Sequence, residues 1–208
     1  ELPVYDVVKP RVGIVGEILV KFHPVANNQA VKLVEKEGGE AVVPDLLDFF
    51  MYAFYNDTIK RDLLDGTRKK KFVSDMAIWY IEQVKKPMLK ALQGTKFGAP
   101  THTAEMAKEA KKVVSLGNIS GEGWFLTAEM LELLHSGVNN IICMQPFACL
   151  PNHVTGKGVM KALKKYDPHA NIVAVDYDPG ASEVNQINRI KLMMSVAFSD
   201  LNDKAQAK

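Results

Sequence analysis

Four short apolar runs limit what this chain can fold into. Arg11 to Val20 (RVGIVGEILV, breaking at Gly16 and Glu17), Glu40 to Pro44 (EAVVP), Asn140 to Met144 (NIICM) and Ile172 to Val175 (IVAV) are short, largely apolar and rich in β-branched residues. Runs of this length bounded by turn residues read as fully buried strands of a parallel sheet. Helical patterns separate them. Asn27 to Glu37 puts Ala30, Val31 and Val34 on one face and stops at Gly38-Gly39, the glycine expected just past a helix end. Trp124 to His135 reads as an amphipathic helix closed by Gly137, and Thr155 to Tyr166 carries Val159, Met160 and Leu163 at helical spacing. A last helix has Ile187, Ile190 and Met194 on one face, and the polar stretch from Asp200 to Lys208 is expected to fray.

Strand, helix and strand in succession make a βαβ unit. From Asp45 to about Leu116 the strand signal disappears. The pattern there is helical, with an apolar and aromatic stretch at Leu46 to Tyr55, a basic run at Arg68 to Lys71, helical candidates at Phe72 to Leu92 and Ala104 to Leu116, and a loop at Gly94 to Pro100. The expected fold is therefore α/β. It is an open, mainly parallel four-stranded sheet in a three-layer, flavodoxin- or Rossmann-like arrangement, one domain over residues 1–208 with a helical insertion at about 45–117.

Charge and cysteine usage narrow the function. Twenty-six basic residues against 24 acidic ones leave a net charge of +2, too weak a field to call for nucleic acid or an anionic membrane. No stretch approaches the roughly 20 apolar residues that cross a bilayer. Two cysteines without a signal-peptide pattern do not make a secreted disulfide framework, so the expectation is a soluble protein of the reducing cytoplasm.

Ligands of an open parallel sheet bind beyond the carboxyl ends of its strands, where irregular loops and helix N-termini converge. Three segments fall there: Gly16 to Pro24 with Glu17, Gln145 to Lys157, and Asp176 to Asn188. The middle one holds the chemistry. Cys149 sits in a loop braced by Pro146 and Pro151, where its thiolate would suit a soft metal or its thiol would simply fill the core. Cys143, inside the third apolar run, has the same two readings with packing the plainer one. His153 fits a ligand, an acid–base group or a helix cap, and Lys157 in Gly156-Lys157-Gly158 fits an anion at a helix N-terminus. The chain lacks the Gly-x-x-x-x-Gly-Lys-Ser/Thr phosphate loop, and Gly13 and Gly16 do not complete a Gly-x-Gly-x-x-Gly fingerprint. Asp176 and Asp178 read as turn and cap residues or as catalytic carboxylates, and the amide-rich segment Glu183 to Arg189 suits hydrogen bonding to a neighbour. Glu122 is a lone carboxylate in a glycine-rich loop.

Three segments carry a resemblance to a known group: GEGWFLTAEM at 121–130, QPFACLPNHVTGKG at 145–158 and DYDPGASEVNQINR at 176–189. With Val12 to Pro24 they resemble the large CoA-substrate-specific enzyme activases, relatives of the activators and component subunits of 2-hydroxyacyl-CoA dehydratases. The chain resembles the C-terminal part of their dehydratase-subunit-like region, a piece of a longer polypeptide. The resemblance implies that Cys149 holds an iron–sulfur cluster, with Cys143 a less securely matched second ligand. Gln145, Asn152 and His153 would then tune the cluster from around its sulfurs, with Glu17, Lys157 and Asp176 at the same sheet edge. The family's other cluster cysteines, and the modules that bind ATP, belong to segments not in this sequence. The implied role is ATP-driven, low-potential electron transfer to an acyl-CoA dehydratase in anaerobic metabolism. The implied partners are that dehydratase and the remainder of the parent chain; apart from the resemblance, a stand-alone reductase whose two copies pool Cys143 and Cys149 across a homodimer is a further reading. The alternative is a non-catalytic docking or dimerisation module whose cysteines are packing residues.

Overall fold

The computed structural model describes residues 7–95 and 101–206. Its centre is a four-stranded, all-parallel open sheet of β1 (Arg11–Gly16), β2 (Glu40–Val42), β3 (Asn140–Gln145) and β4 (Asn171–Asp176), ordered β2-β1-β3-β4. Each of the four apolar runs supplies one strand. The chain steps from β1 to β2 on one side and then returns to place β3 on the other, so the strand order reverses between β1 and β3. At such a reversal the loops leaving two adjacent strands diverge and open a crevice.

Alternate residues of the strands feed opposite faces. On one face Val15, Ile141, Cys143 and Ile172 pack with Leu126, Met130, Leu133 and Leu163 from α6 (Gly123–His135) and α8 (Met160–Tyr166). On the other, Val12, Ile14, Ile142, Met144 and Val175 meet Val20 of α1 (Ile18–Phe22), Val34 of α2 (Ala30–Lys36), and Ile190 and Met194 of α9 (Glu183–Gln206).

The inserted segment is helical: α3 (Leu46–Leu63), α4 (Arg68–Leu92) and α5 (Thr103–Ala110). Tyr52 of α3 and Met106, Ala107 and Ala110 of α5 close a third cluster over Trp124, Phe125 and Ala128. That second layer explains why α6 departs from expectation. It is buried from Gly123 to Leu131 and again at Leu133 and Leu134, because it lies between the sheet and the insertion and has no solvent face to keep polar.

Other differences are local. The first run does not continue to Val20: Gly16 ends the strand, and the Glu17 carboxylate accepts from the Val20 N–H at 2.8 Å to cap α1. Asn27 to Gln29 stay in turns before α2. The helix expected from Thr155 is split at Gly156, where α7 (Leu150–Thr155) ends and a 3-10 turn (Lys157–Val159) leads into α8. The polar stretch after Asp200 continues α9 as far as Gln206. Of the loop expected at Gly94 to Pro100, residues 96–100 lie outside the described residues, as do 207 and 208 of the expected tail.

Candidate functional site at the sheet edge

Gly16 builds the crevice. Its φ is +138°, and a Cβ there would sit 1.9 Å from the Met144 carbonyl oxygen, so only glycine lets β1 end this close to β3. The chain turns at once, and the Glu17 N–H donates to Met144 O at 2.9 Å. Beyond that point the edge is tied together by side chains from four loops.

Asn152, fully buried on α7, is the first tie. In the amide orientation that satisfies both neighbours, it donates to Glu122 Oε2 at 2.6 Å and accepts from the Glu17 N–H at 3.1 Å. The other oxygen of Glu122 accepts from the Ile18 N–H at 3.2 Å. Burial pushes the Glu122 carboxyl up, partly offset by the backbone N–H groups it faces. The lone carboxylate of the glycine-rich loop thus joins α6 to α1 and α7.

Asp176, at the end of β4, is the second tie. It accepts from Lys157 Nζ at 2.7 and 3.0 Å and from Gln145 Nε2 at 2.9 Å. Burial works to raise its carboxyl, but these hydrogen bonds and the lysine charge outweigh it and hold Asp176 below the usual range. The Lys157 ammonium is therefore already matched by a carboxylate. The Gln145 Oε1 atom, fully buried, has no partner among the described residues.

Asp178 does something the sequence reading missed. Instead of capping its own helix, it accepts from the Phe147 N–H at 3.1 Å with each oxygen and clasps the cysteine loop to the loop after β4. The amide-rich start of α9 behaves as expected: Gln186 donates to the Asp176 carbonyl and accepts from Asn28, both at 2.8 Å.

Cys149 stands just before α7 and is partly exposed; Cys143 is fully buried, and both are free thiols. Burial pushes the Cys143 thiol up to about 12, and its sulfur lies under the backbone of Gly156. The structure therefore separates the two thiols into an edge group and a core group. His153 lies within α7, where Nδ1 is 3.0 Å from the Cys149 carbonyl oxygen and the ring meets Phe147 edge-on at 6.2 Å. It braces the loop rather than capping the helix.

Beside this network a groove of about 650 Å³ runs between the loops after β1, β3 and β4, with Glu17, Leu19, Val25, Pro146, Asp178 and Gln186 among its walls. Of the residues singled out in the sequence for cofactor binding, Glu17 alone lines it; Cys149 does not. Among the described residues, no group of three or more His, Cys, Asp or Glu is gathered to hold a metal ion. One reachable thiol falls short of the roughly four cysteines that hold a cubane cluster, so these residues do not by themselves fit one. Among the described residues no helix is long and apolar enough to cross a membrane. No protein-family model matches the chain, and neither curated proteins nor solved structures give a match.

Proposed function

We propose that this chain is the dehydratase-subunit-like module of an acyl-CoA dehydratase activase, and that Cys149 gives one thiolate to an iron–sulfur cluster whose remaining ligands come from the rest of the parent polypeptide. One observation carries the reading. Of the two thiols, Cys149 alone is at the open end of β3, where the strand order reverses and ligands of parallel sheets gather. The motif resemblance over residues 121–130, 145–158 and 176–189 supplies the chemistry: ATP-driven electron transfer to a 2-hydroxyacyl-CoA dehydratase, with ATP bound by modules not in this chain. In this reading the chain's own residues position rather than react. Asp178 and His153 fix the loop that presents Cys149, Asn152 fixes α7, and Cys143 packs the core.

The test is single-turnover reduction of the dehydratase by the full-length parent protein. Cys149→Ser abolishes it and Cys143→Ala retains it; retention in the Cys149 variant removes the proposed role.

A second reading, a docking module, has its own observation. The outer face of α4 leaves Phe72, Met76, Trp79, Tyr80, Val84 and Met88 each more than half exposed, and aromatic residues of this kind anchor protein interfaces. In this reading the dehydratase is the partner docked on the stripe; Arg68, Lys69 and Lys70 stand at its N-terminal end, where acidic groups of a partner would meet them. Trp79→Asp in the parent separates the readings: lost dehydratase binding with unchanged iron marks docking as a distinct role of this face.

A further inference from the structure

The groove at the sheet edge, about 650 Å³, has no part in the chemistry of Cys149, which does not line it. Its walls are acidic and apolar. Glu17 enters from the loop after β1, Asp178 and Glu183 enter from the loop after β4 and the start of α9, and Leu19, Val25 and Pro146 supply hydrocarbon. No lysine, arginine or histidine among the described residues lines it. Of the basic groups on adjoining segments, Lys21 is sealed against Glu129, Lys157 is held by Asp176, and His23 accepts the Ala26 N–H through Nδ1 at 3.3 Å.

Tyr177 points to a ligand independently of charge. It lines the groove and is only 7% exposed, and burial alone acts on its hydroxyl, with no hydrogen bond or neighbouring charge. Among the described residues the sealed side-chain oxygens left unpaired are Thr103 Oγ1 and Gln145 Oε1, so the unpaired Tyr177 oxygen keeps accessible surface and can be reached from the groove.

Charge and spacing give the ligand class. Glu17 Oε2 accepts from the Val20 N–H at 2.8 Å, both oxygens of Asp178 accept from the Phe147 N–H, and Glu183 has no side-chain partner among the described residues. Those N–H donors are neutral, and the starts of α1 and α9 return at most about half a charge each, so the three carboxylates keep about two negative charges. An anion, the usual guest at a parallel-sheet edge, is repelled. Nor are the three carboxylates gathered to hold a single metal ion. Because β3 lies between β1 and β4, the strands that deliver Glu17 and Asp178 run two spacings, roughly 10 Å, apart. Two positive charges separated by hydrocarbon match this pattern.

We propose that the groove binds an aliphatic diamine. One ammonium group meets Glu17 and the other meets Asp178 and Glu183, the Tyr177 hydroxyl accepts a hydrogen bond from an ammonium group, and the methylene chain lies against Leu19, Val25 and Pro146. The site is independent of the reading of Cys149.

Isothermal titration calorimetry of the chain tests it with hexamethylenediamine as the probe, and with hexylamine, hexanol and magnesium ion as controls. The diamine is expected to bind saturably at one site, with hexylamine about 5-fold weaker and with hexanol and magnesium weaker still. Tyr177→Phe, which removes only the hydroxyl, should weaken the diamine about 10-fold. Glu183→Gln, at an exposed position without a partner, should weaken it several-fold and lessen its salt dependence. Absence of saturable diamine binding at about 10 mM, hexylamine or magnesium binding as tightly as the diamine, or Tyr177→Phe and Glu183→Gln variants that both bind like wild type would each overturn the proposal.

Discussion

Lys21 and Glu129 form an ion pair inside the molecule, Nζ to Oε1 at 2.7 Å, with side-chain exposures of 0% and 1%. The pair joins α1, which leaves the crevice, to α6 beneath the insertion. A charge sealed this deeply depends on its partner, because leaving one ion buried alone costs about 3–5 kcal/mol. Glu129→Leu should lower the stability to urea by about that amount, and Lys21→Met combined with Glu129→Leu should recover much of it. Additive losses in the double variant would count against the coupling.

The same carboxyl gives stability a pH dependence. Burial, only partly opposed by Lys21, raises Glu129 from the ordinary glutamate value of 4.5 to about 7. Between those values the folded chain holds a proton that the unfolded chain releases. The stability from this group is present in full below about pH 4.5 and is lost as the pH rises through about 7. Urea titrations at pH 5 and pH 8 should show the loss, and Glu129→Gln, which titrates in neither state, should flatten it. An unchanged slope in that variant contradicts the assignment.

Gly16 is the residue on which the crevice depends. Gly16→Ala would thrust a methyl group into the Met144 carbonyl at a φ of +138°. We expect a loss of about 3 kcal/mol or more, measured by thermal unfolding. Gly137→Ala, also at positive φ but with nothing near its Cβ, should lose only about 1 kcal/mol. Equal losses at the two sites would refute the close approach of β1 to β3.

The two thiols should differ in reactivity. Cys149 is partly exposed and should react with Ellman's reagent in the folded chain, while Cys143, buried and with its thiol pushed up to about 12, should wait for unfolding. Counting one fast and one slow thiol, with the fast one missing in Cys149→Ser, checks the separation.

Much of the architecture was legible because the strands are buried on both faces and so read as unbroken apolar runs. The sheet edge was legible too, since parallel strands all deliver their loops to one end; it brought Glu17, Gln145, Asn152, Lys157 and Asp176 together. What the chain pattern did not carry were partnerships made at long range. Nothing near Lys21 in sequence announces Glu129, and nothing near Asp178 announces the Phe147 N–H. The burial of α6 was missed for a similar reason. A helix reads as amphipathic from its own residues, and only the insertion folding back over it removes the solvent face. The two cysteines six residues apart offered the same composition for two roles, and the pleat of β3 separates them by turning Cys143 inward.

The central claim is tested most directly by iron and acid-labile sulfide per chain in the full-length parent protein, prepared without oxygen as wild type, Cys149→Ser and Cys143→Ala. The account predicts that the Cys149 variant loses iron and sulfide together while the Cys143 variant keeps both. Wild-type iron and sulfide in Cys149→Ser would contradict it.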